Sequence, residues 1–270
     1  MPLAVCATPI GNLADVTLRV LQELRESAVV LCEDTRHTRL LLDRHGIEAR
    51  LVSLHEHNEA ERTAEILPRL EAGERIALVS DAGMPAICDP GARLVRAALA
   101  AGVVVTVLPG PSAVETALVA SGLVGERYQF VGFLPRRAAE RAALWDEIRF
   151  TAWPVVAFES PRRLPSSLAS LADAFPDREV AVCRELTKRF EEVVRGRAVE
   201  VADRFAEVPK GEITIVFGPA TGRPGGDDAL VDARRAVADL VEAGAPRKAA
   251  AEVVARLTGL ARNELYRSTL

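Results

Sequence analysis

The reactive side chains of this chain gather in short polar clusters, each placed directly after an apolar run. Glu33-Asp34-Thr35-Arg36-His37-Thr38 brings two carboxylates, a guanidinium and an imidazole into one stretch. His55-Glu56-His57-Asn58-Glu59 offers imidazoles and an amide, and Ser80-Asp81-Ala82-Gly83-Met84-Pro85 sets a carboxylate among small residues. Ala7-Thr8-Pro9-Ile10-Gly11-Asn12-Leu13 and Pro109-Gly110-Pro111-Ser112 are turn-forming and small, so a ligand can reach their backbone. A carboxylate or histidine near a weakly acidic hydroxyl can take its proton. His55-x-His57 would share one face of a strand, but no third ligand stands at credible spacing, and no metal site is expected. Neither a G-x-G-x-x-G after the first apolar run nor a G-x-x-x-x-G-K-[ST] is present, which excludes the ordinary dinucleotide fingerprint and a P-loop.

Each cluster also has a plain structural reading. Asp34 can cap a helix, Asp89-Pro90 reads as an N-cap with proline at N1, and Ser112 and Glu115 are spaced as a capping box. Pro-Gly-Pro-Ser alone would be only a turn and a cap. Polar or turn-forming residues after five successive runs point to a site without naming its ligand.

The elements that must position these clusters follow from the spacing of apolar residues. Leu3–Cys6, Ala28–Cys32, Leu51–Leu54, Ile76–Ser80 and Val103–Leu108 read as buried strands. Helical patterns over Val16–Glu26, Arg36–His45, Glu59–Ala72 and Gly91–Ala101 lie between them, with Gly46, Gly73 and Gly102 where C-caps belong. Such alternation predicts an α/β domain over 1–123, a doubly wound and mostly parallel sheet whose strand carboxyl ends carry the ligand site. Strands at Tyr128–Phe133, Val155–Phe158, Glu179–Cys183, Glu192–Arg195 and Ile213–Phe217, with helices at Arg137–Ile148 and Arg162–Ala174, predict a second α/β domain over 124–220. Its last strands follow one another closely, so its sheet is expected to be mixed. Thr221–Asp228 has the composition of a linker, and 229–270 reads as a small helical C-terminal segment broken at Gly244-Ala245-Pro246 and Thr258-Gly259.

Composition narrows the function classes. No apolar run approaches the roughly 20 residues that span a bilayer, and the first residues have no basic stretch of a signal peptide, so a cytoplasmic protein is expected. Cys6, Cys32, Cys88 and Cys183 are scattered without C-x-x-C spacing, as suits reduced thiols. The net charge of −4 speaks against a general coater of nucleic acid. Positive charge is concentrated at the end instead: from 246 onward Arg247, Lys248, Arg256, Arg262 and Arg267 face only Glu252 and Glu264, with Asn263 and Tyr266 beside them. This helix-turn-helix pattern suits contacts to RNA, or alternatively packing between subunits.

Taken in order, Thr8–Leu13, Glu33–Thr38, Ser80–Pro85 with Asp89-Pro90-Gly91, and Pro109–Ser112 resemble the motifs of the tetrapyrrole-methylase superfamily. Within it they are similar to the 16S rRNA (cytidine-2′-O)-methyltransferase branch. Gly132-Phe133-Leu134-Pro135, Phe158-Glu159-Ser160-Pro161-Arg162-Arg163, Cys183–Lys188 and Lys210-Gly211-Glu212 continue the resemblance, and Arg247–Ala251 with Asn263–Tyr266 resemble the family's tail. Met84 departs from the family's threonine. The resemblance implies S-adenosylmethionine held between the two domains by Ile10, Asp81, Ala82, Met84, Ser112 and Ala113 on one side and Phe158, Leu186 and Thr214 on the other. It implies 16S rRNA, within the small ribosomal subunit, as partner, and a homodimer. Asp34, Arg36, Asn58 and Glu159 become candidates for substrate handling, with Asp34 as the base. Arg184, Lys188, Arg247, Lys248, Arg262, Asn263 and Arg267 become candidates for holding RNA. A methylase of a corrin or sirohaem precursor would use the same scaffold but should lack the basic tail and the Glu33–Thr38 loop. A ribosome-assembly factor without turnover is the reading from another class.

Overall fold

The computed structural model describes residues 2–220, 227–258 and 260–267. Strands β1 (Leu3–Cys6), β2 (Val29–Cys32), β3 (Leu51–Ser53), β4 (Ile76–Leu78) and β5 (Val105–Leu108) form one sheet in the order β3-β2-β4-β1-β5. Every pairing in it is parallel. Helices α1 (Leu18–Glu26), α2 (Thr35–Arg44), α3 (Glu59–Glu71) and α4 (Ala92–Ala100) cover it on both faces. The period of two along a strand decides which face each residue serves. Ala4, Cys6, Val30 and Cys32 pack against Val20 and Leu24 of α1 and Leu41 and Leu42 of α2. Leu3, Val5, Val29 and Leu31 pack against Ile66 and Leu70 of α3 and Leu94 and Ala98 of α4. Two covered faces explain why these strands read as unbroken apolar runs.

Helix α5 (Ala113–Ser121) leaves the end of β5 but does not return to the first sheet. Its Val114, Ala117 and Leu118 pack on Val156, Ala181, Cys183 and Val216 of a second sheet, and Ile10 joins that cluster. The second sheet comprises β6 (Gln129–Phe133), β7 (Val155–Glu159), β8 (Glu179–Arg184), β9 (Glu192–Arg197) and β10 (Ile213–Phe217), in the order β6-β7-β10-β8-β9. Only β6 and β7 run parallel; the other pairings are antiparallel, the mixed sheet that closely spaced strands imply. Its opposite face carries α6 (Ala138–Ile148), α7 (Leu164–Ala174) and α8 (Ala198–Arg204), packed through Trp145, Leu168, Leu171 and Val201 on Val182, Ile215 and Phe217. The sequence pattern does not reveal α8, because Val199-Glu200-Val201 alternates as a strand would and directly follows β9. Glu200 alone closes its first turn, accepting from Arg197 N at 3.0 Å and from the Arg197 guanidinium at 3.0 and 2.7 Å.

Three further helices, α9 (Asp227–Glu242), α10 (Arg247–Thr258) and α11 (Arg262–Arg267), share a small core of Ala233, Val237, Ala250, Ala251, Val254 and Leu265. Of the expected linker, residues 221–226 lie outside the described residues, as do Gly259 in the second break and Ser268. No described helix is long and apolar enough to cross a membrane. Cys6, Cys32 and Cys183 are buried and Cys88 is exposed; burial pushes the Cys6 and Cys183 thiols up to about 12, which keeps them inert.

Candidate active site

Because α5 ties the first sheet to the second, the carboxyl ends of β1, β4 and β5 open onto the face of β7, β8 and β10. A cavity of about 480 Å³ lies there, within the usual range for small-ligand sites. Ile10, Asp81, Ala82, Met84, Ser112, Ala113, Phe158, Leu186 and Thr214 all line it. The residues fit a cofactor with an aromatic base and a flexible charged tail. Ile10, Phe158 and Leu186 give apolar walls, while Ala82, Gly83 and Ala113 leave backbone groups open. A smaller hollow of about 370 Å³ shares Ile10, Asp81, Ala82 and Glu212 with it and extends to His37, Thr38 and Leu41 on α2.

The cavity walls are fastened by loop-to-loop bonds. Thr8 N donates to Gly83 O at 2.8 Å and Gly83 N returns to Thr8 O at 3.1 Å, joining the loops after β1 and β4. Gly83 has φ +77°, which only glycine adopts freely. Across the cleft, Asn12 N donates to Thr187 Oγ1 at 3.0 Å. Here the approach is so close that a Cβ on Gly11 would lie 2.5 Å from Lys188 Cγ and 2.9 Å from the Leu186 carbonyl oxygen. Glu185 and Thr187 hold positive φ in this same loop, and Ala86 and Cys88 do so in the loop after β4. Non-glycine residues held there store strain, which tends to collect at ligand clamps.

The candidates for substrate handling separate. Asp34 is the N-cap of α2, accepting from Arg36 N at 2.8 Å, and it chelates the Arg36 guanidinium at 3.1 and 2.7 Å. The bond to Arg36 holds the Asp34 carboxyl down at about 2, so in this arrangement it takes up a proton poorly at neutral pH. Asn58 accepts from His55 N at 2.8 Å and donates to Ser53 O at 3.3 Å. It thus organises the turn after the edge strand β3, outside the cavity lining. His55 and His57 lie beyond β3, their ring centroids 6.1 Å apart. Glu159 does line the cavity, but it is 2% exposed and fully engaged. It accepts from Ser160 N at 2.7 Å and Ser167 Oγ at 2.6 Å and pairs with Arg163.

A different carboxyl has the properties expected of a base. Asp89 lines the cavity, and burial, then the charges of Glu33 and Asp81, push it up to about 6. Glu33 is raised as well, by burial and by Asp81. The sequence suggests that Asp89 caps α4, but Gly91 holds the cap position with φ 122°. Glu59 of α3 serves that helix end instead, accepting from Gly91 N at 2.9 Å and Arg93 N at 2.8 Å. Asp89, without the cap role, lines the cavity with the Ser80 hydroxyl as a hydrogen-bond partner. Ser112 makes no side-chain cap bond either; its hydroxyl bonds the Glu115 carboxylate, so the capping box is incomplete.

Among the positive groups, Arg184 bonds Glu192 at 2.9 Å and Lys210 O at 3.1 Å, and Lys188 pairs with Glu185 and Glu212, both at 2.9 Å. These cations act as struts of the β8–β10 edge. In the tail, Lys248, Arg262 and Asn263 are exposed. Arg247 lies over the Tyr266 ring at 5.2 Å. Arg267 belongs to α11, but its side chain lies outside the described residues.

The chain belongs to the tetrapyrrole (corrin/porphyrin) methylase family, whose profile matches residues 2–202. Solved structures that share the fold include the following two. Uroporphyrin-III-C-methyltransferase from Thermus thermophilus has a TM-score of 0.59 at 20% identity, over 83% of this chain and 96% of that one. Diphthine synthase has a TM-score of 0.61 at 15% identity, over 80% and 89%. Much greater similarity is found with proteins named Ribosomal RNA small subunit methyltransferase I. The one from Mesorhizobium japonicum is 43% identical over 271 residues, covering 99% of this chain and 91% of the relative. That from Micromonospora olivasterospora is 44% identical over 266 residues, covering 98% and 85%. The Thermotoga maritima relative is 44% identical over 216 residues, 80% of this chain but 97% of its own length, so about a fifth of this chain lies outside that match.

Proposed function

We propose that this chain transfers the methyl group of S-adenosylmethionine to the ribose 2′-hydroxyl of a cytidine in 16S ribosomal RNA. The observation that carries the reading is the match over nearly the whole chain, 43% identical, to a ribosomal RNA small subunit methyltransferase I. The cavity supports it, because every residue expected to hold the cofactor lines one hollow between the two sheets. When bound, the cofactor supplies an electrophilic methyl group on a sulfonium. The chain's own residues enclose and position the reacting groups: Ile10, Phe158 and Leu186 exclude water, and Asp81 and Ala82 stand in the wall shared by both hollows. Much of the acceleration comes from alignment of the acceptor oxygen with the methyl group. Asp89 accepts the hydroxyl proton, a role for which a carboxyl near 6 is better matched than Asp34 near 2. Arg36, whose Nε and Nη2 are held by Asp34 but whose guanidinium is largely exposed, takes a phosphate of the substrate through its outer edge. The basic tail adds RNA contacts, and the enzyme works as a cytoplasmic homodimer on the small subunit, as the family resemblance implies.

The test is transfer of labelled methyl from S-adenosylmethionine to three acceptors offered separately: 30S particles lacking the modification, naked 16S rRNA, and a tetrapyrrole precursor. Label in RNA as 2′-O-methylcytidine supports the reading. Label in the tetrapyrrole, or in none, overturns it.

A further inference from the structure

We infer that Phe133, Arg136 and Arg162 form a docking platform for single-stranded RNA at the mouth of the cavity. This rests on the RNA-methyltransferase reading and adds where the strand beside the target nucleotide lies. Strands β6 and β7 are parallel neighbours, so their carboxyl ends emerge at one edge. The loop after β6 is tied to β7 and to the turn beyond it: Leu134 N donates to Phe158 O at 3.0 Å, and Arg163 Nη1 donates to Leu134 O at 3.0 Å.

Phe130 and Phe133 are three residues apart, and strict alternation would put them on opposite faces of β6. A register shift falls between them, with Gly132 at φ +69°. As a result both rings stack edge-on against Phe158, with centroids at 4.9 and 5.5 Å. Bulges of this kind re-aim a side chain. Phe133 is left 55% exposed while still lining the cavity. A core-filling phenylalanine has no reason to be held there, braced on one ring and more than half exposed. Ile87, 54% exposed, lines the same mouth.

The charges around it are sorted. Arg163 is consumed by Glu159, and Arg137 by Glu140 at 3.1 Å. Arg136 and Arg162 are exposed and have no hydrogen bond or ion pair among the described residues. The nearby carboxylates Glu140 and Glu159 are therefore already paired, and two uncommitted guanidinium groups stand in the loops after β6 and β7, three residues beyond Phe133 and beyond Glu159. A ring for a base with cations for the adjoining phosphates is the chemistry that receives a single strand.

The experiment measures binding to a 16S rRNA transcript and to unmethylated 30S particles across salt concentrations, together with steady-state methylation. Arg136→Ala/Arg162→Ala should lower the slope of log affinity against log salt by about 1.4. It should raise KM for RNA while leaving cofactor affinity unchanged. Phe133→Ala should weaken RNA binding about 5- to 150-fold, and Phe133→Trp should restore it where Phe133→Leu does not. Unchanged salt slope and RNA KM in a double variant that binds cofactor normally would overturn the platform. Loss confined to particles, with transcript binding intact, would assign the surface to a ribosomal protein and overturn it too. Failure of the wild-type protein to methylate RNA at all would instead remove the underlying reading.

Discussion

Replacing Gly11 by alanine probes the contact that sets the width of the cleft between the two sheets, where we place the cofactor. The new Cβ would meet Lys188 Cγ at 2.5 Å, Thr187 Oγ1 at 2.8 Å and the Leu186 carbonyl oxygen at 2.9 Å. The lysine chain can swing away, but the carbonyl belongs to a backbone already holding positive φ at Glu185 and Thr187. Ordinary contact begins near 3.4 Å, so the loops after β1 and β8 must part by roughly half an ångström. Overpacking of this kind costs about 1–3 kcal/mol. Loss of the Asn12–Thr187 bond adds about 1 kcal/mol. Against a total stability of about 5–15 kcal/mol the variant still folds, with Tm lowered by roughly 5–15 °C. Ile10 and Leu186 adjoin the displaced atoms and line opposite walls, so S-adenosylmethionine affinity should fall more than tenfold. Urea denaturation and titration calorimetry read the two effects. Adding Lys188→Ala should not rescue either one, because it leaves the clash with the carbonyl. A Gly11→Ala protein as stable and as tightly binding as the wild type would refute the reasoning.

Asp81→Ala should weaken cofactor binding in calorimetry, whereas Asp81→Asn should weaken it less, because an amide oxygen still accepts the Asp34 N–H now bonded at 3.1 Å. The folded protein holds the Asp89 proton more tightly than an unfolded chain does. Its ionisation as pH rises from about 4 to 6 therefore costs stability, and Asp89→Asn should be more stable at pH 7, by of order 1 kcal/mol after screening of a part-exposed group. The same substitution should abolish a fall in kcat as pH drops through about 6, while Asp34→Asn keeps that limb; an unaltered limb in Asp89→Asn would exclude it as the base. Truncation after residue 228 removes the helices with their own core. It should leave cofactor affinity unchanged and cut methylation of 30S particles by at least tenfold, and full activity would count against an RNA role for the tail.

The first sheet was legible in the sequence because its central strands β1, β2 and β4 are covered on both faces and glycines end the helices before β3, β4 and β5, at Gly46, Gly73 and Gly102. The cavity between the sheets was legible because its walls follow strand ends in chain order and resemble a family's motifs. Asp89 was hidden by a local rule: Asp-Pro ahead of a helix signals a cap, and only tertiary structure reveals that Glu59 takes that duty from another helix. Arg184 and Lys188 read as free cations, since the Glu192, Glu185 and Glu212 that neutralise them come from spatial pairing. Phe133 was visible only as part of a motif, because strand periodicity gives no sign of the register shift that exposes it. Helix α8 was lost to an alternating stretch too short for its period to show.

The central claim is tested most directly by nucleoside mass spectrometry of 16S rRNA from cells lacking this gene, complemented with the wild-type chain. The account predicts that 2′-O-methylcytidine is absent without the gene and returns with it, and that Asp81→Ala restores less of it. If the wild-type chain restores no 2′-O-methylcytidine, or if the nucleoside is present without the gene, the assignment is contradicted whatever the cavity binds.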